Sequence, residues 1–255
     1  MGLYHHIYTN NPTAGNTDGT MISENGAMTA PLTVTLDAAK SESKIIKLAI
    51  RCEEGYETIG DTTISIYHDN GNGTYTPTGG NVEKWKLAAD LSQAGMLTAT
   101  IATNAAAGDK IVIGDVTLTA GTDFDIGSTV NETATNMAAA ITLKSTLYKA
   151  TASDAAITVV EKCAGAGHTP TLGAITGNGT GSATLSVTTT SKKESQAATE
   201  SQMQSAGVWG SSVTINDTIS NGNIVFWAKV AASSDEAPQK DSSTVLYSTA
   251  TIQAV

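Results

Sequence analysis

Aromatic side chains are scarce in this chain: they are 5% of its residues, with 2 Phe and 3 Trp. Its 40% hydrophobic content therefore leans on Ala, which fills little volume. This excludes a core of thick aromatic clusters and favours thin sheets faced by Val, Ile, Leu and Thr, whose branched members suit a pleated surface. Cysteine is rarer still. Cys52 and Cys163 stand alone; they are too few for a disulfide framework and read as free thiols in different domains. Basic residues number 14 against 24 acidic, a net charge of −10. No nucleic acid partner is expected, because neutralising phosphates takes clustered Lys and Arg. Lys192-Lys193, followed at once by Glu194, reads as a solvated segment. The acidity implies solubility at high concentration. No run reaches the roughly 18 apolar residues of a membrane span, so no membrane partner is expected. The opening "MGLYHHIYTNNPTAG" has no basic stretch leading into an apolar run, which predicts synthesis in a reducing cytoplasm without a secretory signal.

Groups that carry chemistry are equally sparse. There are 4 histidines: His5, His6, His68 and His168. A Ser-His-Asp triad would have to use His68, at a hairpin end, or His168, in a Gly-rich loop, and no G-x-S-x-G elbow accompanies either. Neighbouring residues of a strand point to opposite faces, so His5 and His6 cannot chelate one ion together. "DNGNGT" at Asp69 to Thr74 imitates the start of a calcium loop, but Gly80 stands where the twelfth-position glutamate belongs, so it reads as a hairpin tip. "GNGTGS" at Gly177 to Ser182 lacks G-K-[ST] and precedes a strand rather than a helix, so no helix terminus receives a phosphate there. Glu53 and Glu54 diverge as neighbours and form no acid/base pair. The sequence thus predicts no catalytic residue, no cofactor and no metal site, and the chain is not expected to be an enzyme.

The organisation is more informative. At 255 residues the chain suits one large domain or two ordinary ones. Strand-sized alternating runs separated by turn signals recur through the first part: "PLTVTL", "IIKLAIRC", "TTISIYH" and "VEKWKLA". "SSVTINDTIS", "NIVFWAKVAA" and "STVLYSTATI" resume the rhythm near the end. Four early and three late strands make a seven-stranded, discontinuous Ig-like β-sandwich over 1–98 and 207–255, with Trp85, Phe226 and Trp227 as its bulk.

Between them lies a different unit, predicted as an inserted small α+β domain over 99–190. Its centrepiece is "GDKIVIGDVTLTA", a hairpin turning on Gly114-Asp115, where a leading Gly suits a type II′ turn. Thr129 and Glu132 have capping-box spacing, and Val130, Ala134, Met137, Ala138 and Ile141 then form one narrow apolar stripe. This helix should lie close against a sheet. A second hairpin is read across Ser153-Asp154, then a Gly-rich loop over "CAGAGHTPTLGAITGNGTGS", then a last strand "ATLSVTT". Polar, weakly helical residues 191–206 are read as the return linker. The class is mostly β.

The N-terminal arm carries Leu3, Tyr4, Ile7 and Tyr8 before a polar turn cluster. It reads as the sandwich's first strand or as an arm that pairs with a neighbouring subunit's sheet edge; on the second reading those four residues touch the partner.

The outer segments, "GTMISENGAMTAPLTVTLDAAKSESKIIKLAIRCEEGYET" and "IVFWAKVAASSDEAPQKDSSTVLYSTATIQAV", resemble structural proteins (decoration or tail type) of tailed bacteriophages and prophages of Gram-positive bacteria. The central "AGDKIVIGDVTLTAGTDFDIGSTVNETATNMAAAIT" resembles a small hairpin-and-helix module that recurs in phage virion proteins. The resemblance implies a non-enzymatic virion structural protein. Capsid surface decoration is the leading expectation, with a tail or baseplate component as the alternative. Its partners would be the major capsid protein or other virion proteins and further copies of itself, as a homo-oligomer located in the virion. A host-surface glycan-binding adhesin is the third reading. Carried by the inserted domain, it would need aromatic platforms beside polar groups, and that domain has only Phe124 and Tyr148, which weighs against it.

Overall fold

A computed structural model describes residues 4–24, 29–178, 182–234, 236 and 242–255. The chain is mostly β and divides into two compact units, Met1–Leu91 with Ala198–Val255, and Ser92–Ala197. Its first segment carries β1 (His5–Thr9), β2 (Thr20–Met21), β3 (Ser43–Cys52), β4 (Tyr56–Asp69), β5 (Tyr75–Thr76) and β6 (Trp85–Ala89). The middle segment carries β7 (Met96–Thr103), β8 (Lys110–Ile113), β9 (Val116–Thr119), α1 (Val130–Lys144), β10 (Tyr148–Ser153), β11 (Ala156–Glu161), β12 (Leu172–Thr176) and β13 (Ser186–Lys193). The last segment carries α2 (Glu200–Ala206), β14 (Ser212–Ile215), β15 (Ile224–Ala231) and β16 (Thr244–Ala254).

In the first unit, one sheet runs β2-β1-β3-β15-β6 and the other β14-β4-β16, with β5 also paired to β4. The two ends of the chain are thus laddered together. β15 pairs with β3 from Ile224↔Ile50 to Ala231↔Ser43, and with β6 on its other side. Alternation decides which side chains go inward: Leu48, Ile50, Phe226 and Leu87 of the first sheet meet Ile64, Ile66, Val213 and Ile215 of the second in one buried cluster. The first sheet's other face is also covered, since Ala49, Ala88, Val225 and Trp227 are buried and the Trp227 indole N–H donates to Asp90 at 2.7 Å.

Three expectations change here. "PLTVTL" forms no strand; it lies beside β3, where Lys44 Nζ donates to the Thr35 carbonyl at 2.7 Å, and Leu32 packs against the core. The tract read as a linker over 191–206 is structured at both ends. β13 continues to Lys193, and α2 is a short helix held by a reciprocal capping box between Thr199 and Gln202. Finally, the middle unit begins at Ser92, not residue 99, and ends at Ala197, because β7 and its partner β13 belong to it whole.

That unit contains a four-stranded sheet, β10-β11-β7-β13, and a three-stranded one, β12-β8-β9. The "GDKIVIGDVTLTA" hairpin pairs Lys110↔Thr119 through Ile113↔Val116. Gly114 sits at φ 59°, and a Cβ there would run into the Tyr148 ring. Asp115 does a second job. Its carboxylate accepts from Ser145 Oγ at 2.5 Å and from the Thr146 N–H at 3.1 Å, tying the turn to the end of α1. The α1 N-terminus is capped as its spacing predicts: Thr129 Oγ1 accepts the Glu132 N–H, while the Glu132 carboxylate reaches back one residue further, to Ser128. Ala134, Met137, Ala138 and Ile141 are buried and Val130 packs at the margin. The tract read as a Gly-rich loop hides β12, which pairs with β8 and seats Gly173 on the Val112 side chain. The second hairpin turns on Asp154-Ala155 rather than Ser153-Asp154, with Asp154 at φ 52°.

Candidate functional site

Of the N-terminal residues singled out from the sequence, Leu3 lies outside the described residues. The other three lie on or beside a strand of their own unit. β1 pairs antiparallel with β3, His5↔Cys52 to Tyr8↔Ala49, and with β2 at Tyr8 and Thr9. Ile7 is in the core, so it has no surface to offer a partner, which corrects that expectation. Tyr4 stacks on Tyr56 with ring centroids 4.2 Å apart. Tyr8 lies beneath the Arg51 guanidinium, 3.6 Å from the ring centroid, an arrangement that favours a fixed cation over the ring face. Arg51 in turn reaches the Asp18 carbonyl and the Asn223 side chain, at 2.9 and 3.1 Å. The arm is therefore bound to its own body by pairing, stacking and charge.

The two adjacent histidines face opposite ways, as a strand dictates. His5 is buried and its Nε2 meets Ser248 Oγ of the second sheet at 2.6 Å, so the pair links the two sheets. Burial, then the neighbouring His6, pushes His5 below its ordinary pKa. Its Nδ1 has no partner among the described residues, and no carboxylate orients the ring. A serine and histidine within reach are thus present, but as a neutral buried tie. His6 faces outward, with Nδ1 2.9 Å from Glu24 and Nε2 3.1 Å from Glu53. Burial works against charging it, but the hydrogen bonds to both carboxylates outweigh that and raise its pKa. Both ring nitrogens can donate only when the imidazole is protonated. The cluster is a charged clasp.

His68 packs inward beside Gly79 and Gly80, and the His168 backbone N–H donates to Glu161. Neither joins a serine and an acid in the hydrogen bonds described. At the "DNGNGT" tip, Asp69 Oδ1 accepts the Gly71 N–H and Asn72 Oδ1 accepts the Thr74 N–H; its oxygens close the turn. Among the described residues no group of three or more His, Cys, Asp or Glu is placed to hold a metal ion. Among the described residues no helix is long and apolar enough to cross a membrane. Cys52 is buried, its thiol pushed up to about 11 by burial and then by Glu57. Two depressions of about 440 and 550 Å³ lie on the first unit, open to solvent, and share Thr9, Ile45, Ile46 and Glu200 in their walls.

The aromatic surface was the feature least visible in any local pattern. Phe124 and Tyr148, on which a glycan site in the middle unit would depend, are each 5% exposed and belong to its core. Two exposed aromatics, Tyr75 and Tyr247, gather instead with half-buried Tyr67 on the outer face of β4, β5 and β16. Tyr247 lies 5.3 Å from Tyr67 and 6.0 Å from Tyr75 between centroids, with planes tilted by 48° and 40°. Tyr75 and Tyr247 are 40% and 44% exposed. Around them the same face carries Thr63, Ser65, Thr249 and, on β14, Ser212 and Thr214. This is a polar sheet face with one aromatic patch. It can bind by contact and hydrogen bonding. Compared with models of known protein families, with curated proteins and with solved structures, the chain matches none.

Proposed function

We propose that this chain is a non-enzymatic structural protein of a tailed-phage virion, carried on the capsid exterior, with its first unit an Ig-like sandwich. The observation that supports this is the spliced architecture. Both ends of the chain enter one laddered body, and a separate compact unit is inserted between Leu91 and Ala198. A body fixed at both ends leaves the inserted unit as a passenger whose loss or exchange does not break the ladder. Such a protein gains from repetition, since modest contacts per copy multiply over a symmetric lattice. The sequence resemblance of all three segments to virion proteins points the same way.

The test is co-sedimentation of the purified chain with emptied capsids of a phage whose genome encodes it. Saturable binding is expected; no binding to the shell, with binding to isolated tails instead, moves the protein to the tail or baseplate. A second reading, a glycan-binding adhesin, is favoured by one observation: the exposed cluster of Tyr67, Tyr75 and Tyr247. Aromatic faces beside hydroxyls suit sugar rings. On this reading the site lies on the first unit. A glycan array should then give a signal that Tyr247→Ala abolishes, and a blank array removes the reading.

A further inference from the structure

The second sheet of the first unit has two flanks, and they are treated differently. On the β14 side, Leu87 of β6 and Gly210 exchange backbone hydrogen bonds of 2.7 and 2.8 Å, so the two sheets are stitched together there. On the other side β16 pairs with β4 along one edge, and over residues 245–254 no described residue pairs with its other edge.

An open strand edge is a row of unmet backbone donors and acceptors, and proteins normally blunt it with Lys, Pro, bulges or brevity. β16 uses none of these. It is 11 residues long, "TVLYSTATIQA", with no charged residue and no proline. The one irregularity of the ladder, between Thr249↔Thr63 and Thr251↔Ile59, puts the extra residues on β4. The edge of β16 therefore stays regular.

We infer that the open edge of β16 pairs antiparallel with β16 of a second copy of this chain, about a twofold axis at Thr249. Three observations select this occupant. A chain of net charge −10 repels its own copies over most approaches, but two uncharged strands meet without that penalty. The strand is also self-complementary. With Thr249 opposite its own counterpart, residues 245–253 pair without a gap, Leu246 faces Ile252, and Tyr247 faces Thr251. Moving the axis to Ala250 keeps the faces matched but sets Leu246 against Ala254 and loses the Leu246–Ile252 contact. The inward face gains as well: Leu246 packs at the margin of the core, and pairing places the counterpart's Ile252 beside it. The geometry is isologous, as a closed dimer requires.

The test is sedimentation of the full chain at rising concentration, with hydrogen exchange of the β16 amides read in parallel. The wild type should shift from the 26.0 kDa species to twice that mass, and amides of residues 245–254 should exchange more slowly as it does. Thr249→Lys sets two introduced lysines directly opposite each other and should return the protein to the single-chain mass; its thermal transition reports whether it is folded. The double variant Tyr247→Lys with Thr251→Glu instead places opposite charges across the axis twice and should remain dimeric. A wild type that stays at single-chain mass overturns the inference. So does a dimer that survives Thr249→Lys unchanged, because that dimer uses another surface.

Discussion

Phe226→Ala reads out the shared interior directly. Phe226 is fully buried on β15, between Leu48 of β3 and Ala89 of β6 in the ladders, so the truncation opens a cavity where the two chain ends meet. Phe→Ala changes in such cores cost about 3–5 kcal/mol. For a body of this size that corresponds to a fall in melting temperature on the order of 10 °C. The chain supplies its own probe, because Trp85, Trp209 and Trp227 all lie in the first unit and none lies in Ser92–Ala197. Tryptophan fluorescence should therefore follow the first unit alone, while far-UV circular dichroism follows both. Phe226→Ala should pull the fluorescence transition down. Met137→Ala, in the core of the other unit, should destabilise the dichroism signal and leave the fluorescence transition in place. If Phe226→Ala moves both probes equally, or Met137→Ala moves the fluorescence as far as Phe226→Ala does, the division into two bodies is refuted.

Other perturbations test the local account. His6 has a raised pKa when folded, so the folded state binds the extra proton more tightly. Its stabilisation should be fully present below its ordinary value near 6.5 and be lost as pH rises through the raised value, so the stability gap between wild type and His6→Gln should shrink with rising pH. Proton NMR should titrate His5 below that ordinary value and His6 above it. Ser248→Ala strips the partner from buried His5 Nε2 and should cost about 1–3 kcal/mol in chemical denaturation. Asp154→Gly relieves a left-handed turn residue and should stabilise the middle unit by about 0.5–1 kcal/mol. Gly114→Ala should destabilise it by about 1–3 kcal/mol, since the conformation is wrong and the Tyr148 ring is in the way.

What could be read from the sequence was what is local. The 110–119 hairpin, the α1 cap and the buried stripe are set by neighbours a few residues apart, and the structure has them where spacing puts them. The joining of early and late strands followed from counting alone, and the β3–β15 ladder has it so. Misreadings came where a distant partner decides. "PLTVTL" alternates like a strand but pairs with none, while "LGAIT" looks like loop because Gly173 is small, and it is small to lie on Val112. α2 buries Met203 as its one fully enclosed side chain, so its polar sequence carried almost no periodic signal. The functional surface was the least legible part. The local β4–β5 hairpin brings Tyr75 to the end of β4, but Tyr247 joins Tyr67 and Tyr75 only through the β4–β16 ladder, and His5 finds Ser248 across 243 positions. No local pattern announces such pairs.

The proposed role comes down to where the chain resides and how many times. Particles of a phage encoding it should be purified and its copies counted by quantitative mass spectrometry against the major shell protein. A fixed ratio on the scale of the shell lattice is expected, in a form that external protease can reach. Absence from every particle fraction would contradict it outright.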